Sequence, residues 1–390
     1  MENYDIESLN IDLDLSALSR SLDNYTASYK FYWIEAIILL VNRCEGKCAF
    51  TLSEIFDEMI VNAWHTHAYY HLKLSVNPGG KENGDQLEQA IDYMIEHTSL
   101  KEDSTQEQIR TELKLHAAEV LPFKNNLQKY VPKRFLVPFL NRSYESYPKI
   151  IEAIKAIEAR GYAVPYTFDT RTGVNRKVII NDRWLILFRK EQNLLLGWIN
   201  YSKTLYLQSK NIEVPGVINK LSLINQDRSL TAVHQLWYLI LSMGYRMNDI
   251  YSNTEIVIND YHIDHFIPWS YTASNELWNL LPSQSTVNIN KSNALPDWNR
   301  YMPGFLGTQF TLYTSIHEDK TREIRKSFNR CMDKYLTAPW AADLYMTPSV
   351  EYEAFSNEIR KHLKPLYLSA ENLGYRIRFY QQELSKWMDL

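Results

Sequence analysis

The run FYWIEAIILLV, residues 31–41, is apolar except for Glu35. At 1.5 Å of rise per residue, a helix needs about 20 such residues to cross a bilayer. The run is too short for that, and a helix apolar nearly all round must be covered on every side. The sequence therefore predicts a buried helix over residues 28–41 in a protein with a substantial core and no membrane span. The opening MENYDIESLN has no basic n-region or apolar h-region, so no signal peptide is expected. Three cysteines (Cys44, Cys48, Cys331) are an odd set, unlike a disulfide framework, and fit a reducing cytoplasm. Cys44 and Cys48 could share a helix face, but no Cys/His pair at zinc-ligand spacing lies nearby.

A length of 390 residues predicts two or three domains. Helical spacing recurs over residues 53–63, with a serine start at Ser53, and over 85–96 and 105–120. VNPGGKENG, residues 76–84, reads as a loop. Prolines at 122, 132, 138 and 148 suggest a boundary. Two β-rich runs flanking Thr-Arg-Thr-Gly in residues 163–180 read as a hairpin. Helical patterns return at Leu195, Trp198, Ile199, Leu205 and Tyr206, over 230–243, and from Lys320 onward. The expected fold class is α+β, mostly α. Residues 1–150 would form an acidic helical domain for sensing, oligomerisation or partner docking, and 151–225 a hairpin with a helical connector. Residues 226–390 would form the domain that bears the chemistry.

Charge divides unevenly. Residues 1–124 hold 10 basic and 21 acidic side chains, and residues 125–390 hold 32 and 25. The net −4 thus averages an acidic front with a basic back that could meet a polyanion. His65, His67 and His71 resemble a metal cluster, but no acid sits at a matching offset, and ordinary histidines are the simpler reading. Arg322, Lys326, Arg330 and Lys334 form an i, i+4 stripe, either a solvated face or a nucleic-acid contact.

Residues 255–296, EIVINDYHIDHFIPWSYTASNELWNLLPSQSTVNINKSNALP, are the informative stretch. Asp264-His265 ends a β-favouring run, Asn279 follows fourteen residues after the histidine, Asn288 nine after that, and then Lys291. The expected order is a strand at 261–267, a loop, a strand at 279–282 and a helix capped by Ser283. Asp264 and Asn288 offer hard oxygen ligands for hydrated Mg²⁺ or Mn²⁺. A neutral imidazole at His265 suits proton abstraction from water. Neighbours in a strand point to opposite faces, so a twist or bulge would be needed to bring both to one centre.

These residues resemble the HNH, or ββα-metal, nuclease motif, in the variant ending in Asn. The spacing is similar to that of the HNH domain of RNA-guided CRISPR effector nucleases. DHFIPWS, LWNLLPS and NINKSNALP look like standalone bacterial HNH endonucleases. FYWIEAIILL, MIVNAWHTHAYYHLKLS and KRFLVPF are similar to the front half of such proteins of phage-defence type, although the loop at 76–84 departs from that pattern. The resemblance implies a ββα core within 255–297 and residue roles. His265 would be the general base, with Asp264 and Asn288 holding one Mg²⁺ (or Mn²⁺). Asn279 would fix the loop through backbone hydrogen bonds, and Lys291 would sit by the scissile phosphate. Lys291, Arg300 and His262 are the candidate substrate contacts. Without flanking Cys pairs, packing by Trp269, Trp278 and Trp298 must hold the unit.

The implied reaction is hydrolysis of a phosphodiester to a 5′-phosphate and a 3′-hydroxyl, with DNA as the expected partner and a defence or restriction-type role. An RNase or single-strand nuclease shares the same site chemistry, and a non-catalytic nucleic-acid-binding subunit is the further alternative. One such centre cuts one strand, so a homo-oligomer or partner subunit is expected. No GxxxxGK[ST] and no Gly-rich βα turn occur, so no nucleotide cofactor is expected.

Overall fold

The structure is a computed structural model that describes residues 13–23, 28–75, 85–144, 146–221 and 229–378. The loop expected at 76–84 and the opening residues lie outside these. The fold is α+β and mostly α, and the chain divides into two compact units. The first comprises Met1–Ile212 with Val217–Ser222, and the second Glu213–Gly216 with Leu223–Leu390.

In the first unit the apolar run forms α1 (Tyr29–Arg43), buried along Phe31 to Ile38 and at Leu40 and Val41. Its one charge is matched from inside: both Glu35 carboxylate oxygens accept from Lys203 Nζ, at 2.7 and 2.9 Å. A buried pair of this kind costs desolvation that its attraction roughly offsets, so it sets register more than stability. The chain then forms β1 (Ala49–Thr51) and α2 (Leu52–Trp64). α2 is capped by Thr51, whose side chain accepts from the Glu54 N–H while Glu54 reaches back to the Thr51 N–H. Ser53, the start expected from sequence, lies one residue inside. The unit continues with α3 (Gln86–His97), α4 (Gln106–Leu115), α5 (Val131–Phe135) and α6 (Tyr147–Glu158).

The prolines near 122–148 do not divide domains. Each occupies the first turn of a helix, where its missing N–H goes unmissed. The hairpin strands β2 (Tyr166–Phe168) and β3 (Lys177–Ile180) are antiparallel, and β3 also pairs with β1 in a sheet ordered β1-β3-β2. The hairpin therefore belongs to the first unit and not to a separate connector, because its central strand is completed by a strand more than a hundred residues earlier.

Of His65, His67 and His71, the first two have polar partners within the fold. His65 Nε2 meets the Ser104 carbonyl at 2.9 Å, and His67 Nε2 meets Asp92 at 2.9 Å. The chain leaves the helix before His71, which takes a φ of +53°, so 67 and 71 share no helix face. Cys44 likewise ends α1, which separates it from Cys48.

The second unit runs α7 (Thr231–Ser242), β4 (Tyr261–His265), β5 (Leu280–Gln284), α8 (Ser285–Lys291), β6 (Leu295–Pro296), α9 (Trp298–Glu318), α10 (Glu323–Tyr335), α11 (Tyr352–Asn372) and β7 (Ile377–Arg378). One apolar core, including Trp237, Phe266, Leu280, Phe305, Phe328 and Phe355, joins the helices to the β4–β5 hairpin. By unit, the charges are 26 basic with 27 acidic in the first and 16 with 19 in the second. The basic excess of the back half lies in residues 125–222, with 16 basic and 7 acidic side chains. It precedes the second unit, which corrects the picture of a basic chemical half.

Candidate active site

β4 and β5 pair antiparallel from Tyr261↔Gln284 to His265↔Leu280 without a break. The loop between them is closed by one buried amide. Asn279, 1% exposed, accepts from the Ile267 N–H through Oδ1 and donates Nδ2–H to the Ile267 carbonyl, both at 2.8 Å. Its own carbonyl accepts from Phe266 N at 2.9 Å. An asparagine side chain has the donor–acceptor pattern of a peptide group, so Asn279 acts as one more rung of sheet. It positions the strand end and does not face solvent.

At that strand end, His265 Nε2 lies 3.0 Å from Asn275 Oδ1. An amide oxygen only accepts, so the contact is made when Nε2 carries the proton, the tautomer that leaves Nδ1 to accept. Sequence reading missed Asn275. It sits in a loop at no motif spacing, and only the fold brings it to the imidazole.

Asp264 turns inward, 4% exposed. Its Oδ2 accepts from the Tyr251 hydroxyl at 2.7 Å and its Oδ1 meets Lys291 Nζ at 3.0 Å. The continuous register contains no bulge, so Asp264 and His265 are reconciled differently from the expectation: each has its own partners, and Lys291 bridges them. The same ammonium donates to the His265 carbonyl at 2.7 Å. Lys291 is 1% exposed, which corrects its assignment as a phosphate contact. It is a buried brace on the strand end, because α8 presents it to Asp264. Burial pushes the Asp264 carboxyl up, while the Lys291 charge and the Tyr251 and Lys291 hydrogen bonds hold it back.

Asp249 supplies the floor. Buried completely, it accepts from the N–H groups of Tyr251 and Ser252 through Oδ1, and from the Ser283 hydroxyl and Gln284 N–H through Oδ2. Ser283 is therefore a strand residue tied to Asp249, and the residue preceding α8 is Gln284. Tyr251 and Asp249 lie before the stretch that sequence reading singled out.

Asn288 is half-buried at the end of the first turn of α8, and His262 is exposed on β4. Arg300 is exposed at the start of α9 and lines a cleft of about 880 Å³ with Arg246, Asn248, Asn253 and Thr311. Trp298 packs edge-on to Phe266 and Tyr367, and Trp278 packs on Trp340. Trp269 is also buried.

Residues 249–297 match the HNH endonuclease family. The chain carries an HNH endonuclease domain. The matched stretch begins at Asp249 and ends just past β6, so it takes in the floor, both strands and α8 of the HNH domain. No curated protein and no solved structure matches the chain.

HNH nucleases generally use a divalent metal ion. Among the described residues no group of three or more His, Cys, Asp and Glu side chains is arranged to hold one. The Asp264 carboxylate, whose oxygens each accept from one partner and keep a further lone pair, and the Asn288 amide oxygen are oxygen donors carried by β4 and α8. One carboxylate and one amide suit a hard ion that retains most of its water. Among the described residues no helix is long and apolar enough to cross a membrane.

Proposed function

We propose that this chain is a metal-dependent endonuclease that hydrolyses DNA phosphodiester bonds and serves as effector of an anti-phage or restriction-type defence system. The observation that carries the nuclease reading is His265, held by Asn275 at the end of an HNH hairpin beside Asp264. The defence role rests on the resemblance of the front half to phage-defence HNH proteins.

In this reading His265 Nδ1 takes a proton from water as the water oxygen attacks phosphorus. The bond from phosphorus to the 3′-oxygen breaks, leaving a 5′-phosphate, and solvent returns a proton to give the 3′-hydroxyl. Asn275 keeps the ring in the tautomer that can accept, and Asn279 and Lys291 hold the strand end on which His265 stands. Asp264 and Asn288 would hold the ion, Mg²⁺ in this proposal, which when bound supplies stabilisation of charge on the phosphate and leaving oxygen. Arg300 and His262 are the exposed side chains proposed to touch substrate.

The test is plasmid cleavage in Mg²⁺. His265→Ala and Asn288→Ala are each expected to slow nicking by roughly a hundredfold or more. Nicking by both at the wild-type rate would remove the site assignment. Cleavage of RNA but not DNA by the wild type would replace the substrate.

A further inference from the structure

The HNH-bearing unit, with 16 basic and 19 acidic side chains, has no net positive charge with which to hold a polyanion. The basic excess lies in residues 125–222, and residues 129–149 are one of its dense stretches. There Lys129, Lys133, Arg134, Arg142 and Lys149 face one acid in sequence, Glu145. Tyrosines alternate with these cations, and the fold pairs them. The Arg134 guanidinium lies 4.7 Å from the Tyr130 ring centre, and that of Arg142 4.8 Å from Tyr144. Lys133 and Arg176 both approach the Tyr147 ring, at 5.4 and 4.2 Å.

The surface is open and little neutralised. Tyr130 is 55% exposed, and Lys129, Arg134, Arg142 and Lys149 are exposed. Among the described residues Arg134, Arg142 and Lys149 form no ion pair. The acids nearby serve others: Asp169 pairs with Arg171 and lends its carbonyl to Arg176. Lys30 on α1 lies close enough to Arg134 to register its charge. Burial and then Arg134 pull the Lys30 ammonium down, against Asp23. Like charges held close together are relieved by an anion, and cations interleaved with exposed rings suit a strand of phosphates with bases to stack.

The rival surface is the stripe Lys326, Arg330 and Lys334 on α10, with Arg322 just before it. It is exposed but interrupted by Glu323 and Asp333, and Lys326 is already paired with Glu323 at 2.7 Å.

We propose that the Tyr130–Arg134–Arg142–Lys149 surface of the first unit is the docking site for the nucleic-acid substrate, with phosphates on the cations and a base against Tyr130. Binding and cutting are thus assigned to different units. The inference rests on the nuclease reading for the identity of the polyanion.

The experiment uses the full chain carrying His265→Ala, so that it binds without cutting, and a fluorescent 30-nucleotide DNA, single- or double-stranded, followed by anisotropy across a salt series. Arg134→Gln with Arg142→Gln is expected to weaken binding at least tenfold and to make the salt slope shallower by about 1.5 to 2. Tyr130→Ala is expected to weaken the single strand by about fivefold or more. Lys326→Gln with Arg330→Gln is expected to stay within twofold. In the cleaving protein the Arg134/Arg142 pair should raise KM and leave kcat unchanged. The proposal falls if that pair binds within twofold of its parent, or if the α10 pair loses as much. It also falls if the parent binds no DNA at low salt, which would point to an acidic protein as the occupant. Normal cleavage with normal binding by the Arg134/Arg142 pair would sink the docking site and spare the nuclease. Lost binding in a protein that never cleaves would do the reverse.

Discussion

Asn275 faces His265 Nε2, and under the proposed function replacing that amide by a carboxylate should alter the chemistry with little change of shape. In Asn275→Asp a negative charge about 3.0 Å from Nε2 would favour the protonated ring. The acid limb of the cleavage rate–pH profile is expected to move to higher pH, and an unmoved limb would mean that Asn275 does not position the base. Lys291 invites a different measurement. With both partners buried, Lys291→Met leaves the Asp264 carboxylate without its cation, a loss expected to cost about 3–5 kcal/mol in urea unfolding. An unchanged midpoint would place the lysine elsewhere. Asp264, His265, Asn279 and Asn288 were legible because their separations along the chain are set by the hairpin and helix that carry them. Tyr251, Asn275 and Asp249 were not, since hydrogen bonds across a folded loop leave no fixed spacing. Lys291 was found at its position but misread in role. A sequence shows that a cation is near the site, and only burial shows that it faces inward.

At the scale of elements, the helices were read with their bounds nearly right where capping chemistry marks them. Asp85 precedes α3 and accepts from the Leu87 N–H at 2.9 Å, and Thr105 and Gln108 form a capping box at α4. The prolines were misread because a proline signals the start of a helix as readily as a break, and deciding between them needs the residues that follow. The cap of α3 also carries a pH dependence. Burial and then the charge of Glu88 push Asp85 up to about 7, against about 3.9 in an unfolded chain. A raised folded value means that its contribution to stability is complete below about pH 3.9 and is lost as pH rises toward 7. Asp85→Asn keeps a capping side chain and removes the titration. Between pH 5 and 7.5 the variant's urea midpoint is expected to fall less than that of the wild type. Parallel curves for the two proteins would show that Asp85 titrates outside this window.

For the whole molecule, the division into two units relocates both the boundary and the charge. A truncation near residue 125, where the charge balance changes, would cut through the helix Leu121–Leu127 inside the first unit. A fragment of residues 213–390 follows the observed division. It is expected to unfold in one cooperative urea transition, and a gradual, non-cooperative melt would show that the second unit needs the first. The acidic front and the basic stretch after it largely cancel within the first unit, so reading them as properties of opposite halves followed from dividing the chain by composition alone. β6, which directly follows the HNH hairpin and α8, forms a parallel pair with β7, Leu295 beside Ile377 and Pro296 beside Arg378. The Tyr367 hydroxyl, from α11, also donates to the Pro296 carbonyl at 2.9 Å. Synthesis order gives this pairing a consequence: a ribosome that has made every proposed catalytic residue has still about eighty residues to add before β6 finds its neighbour. Polypeptides released early by a premature stop would carry the whole motif and lack the strand that closes it, and under the proposed function the complete site would then form only in the finished chain.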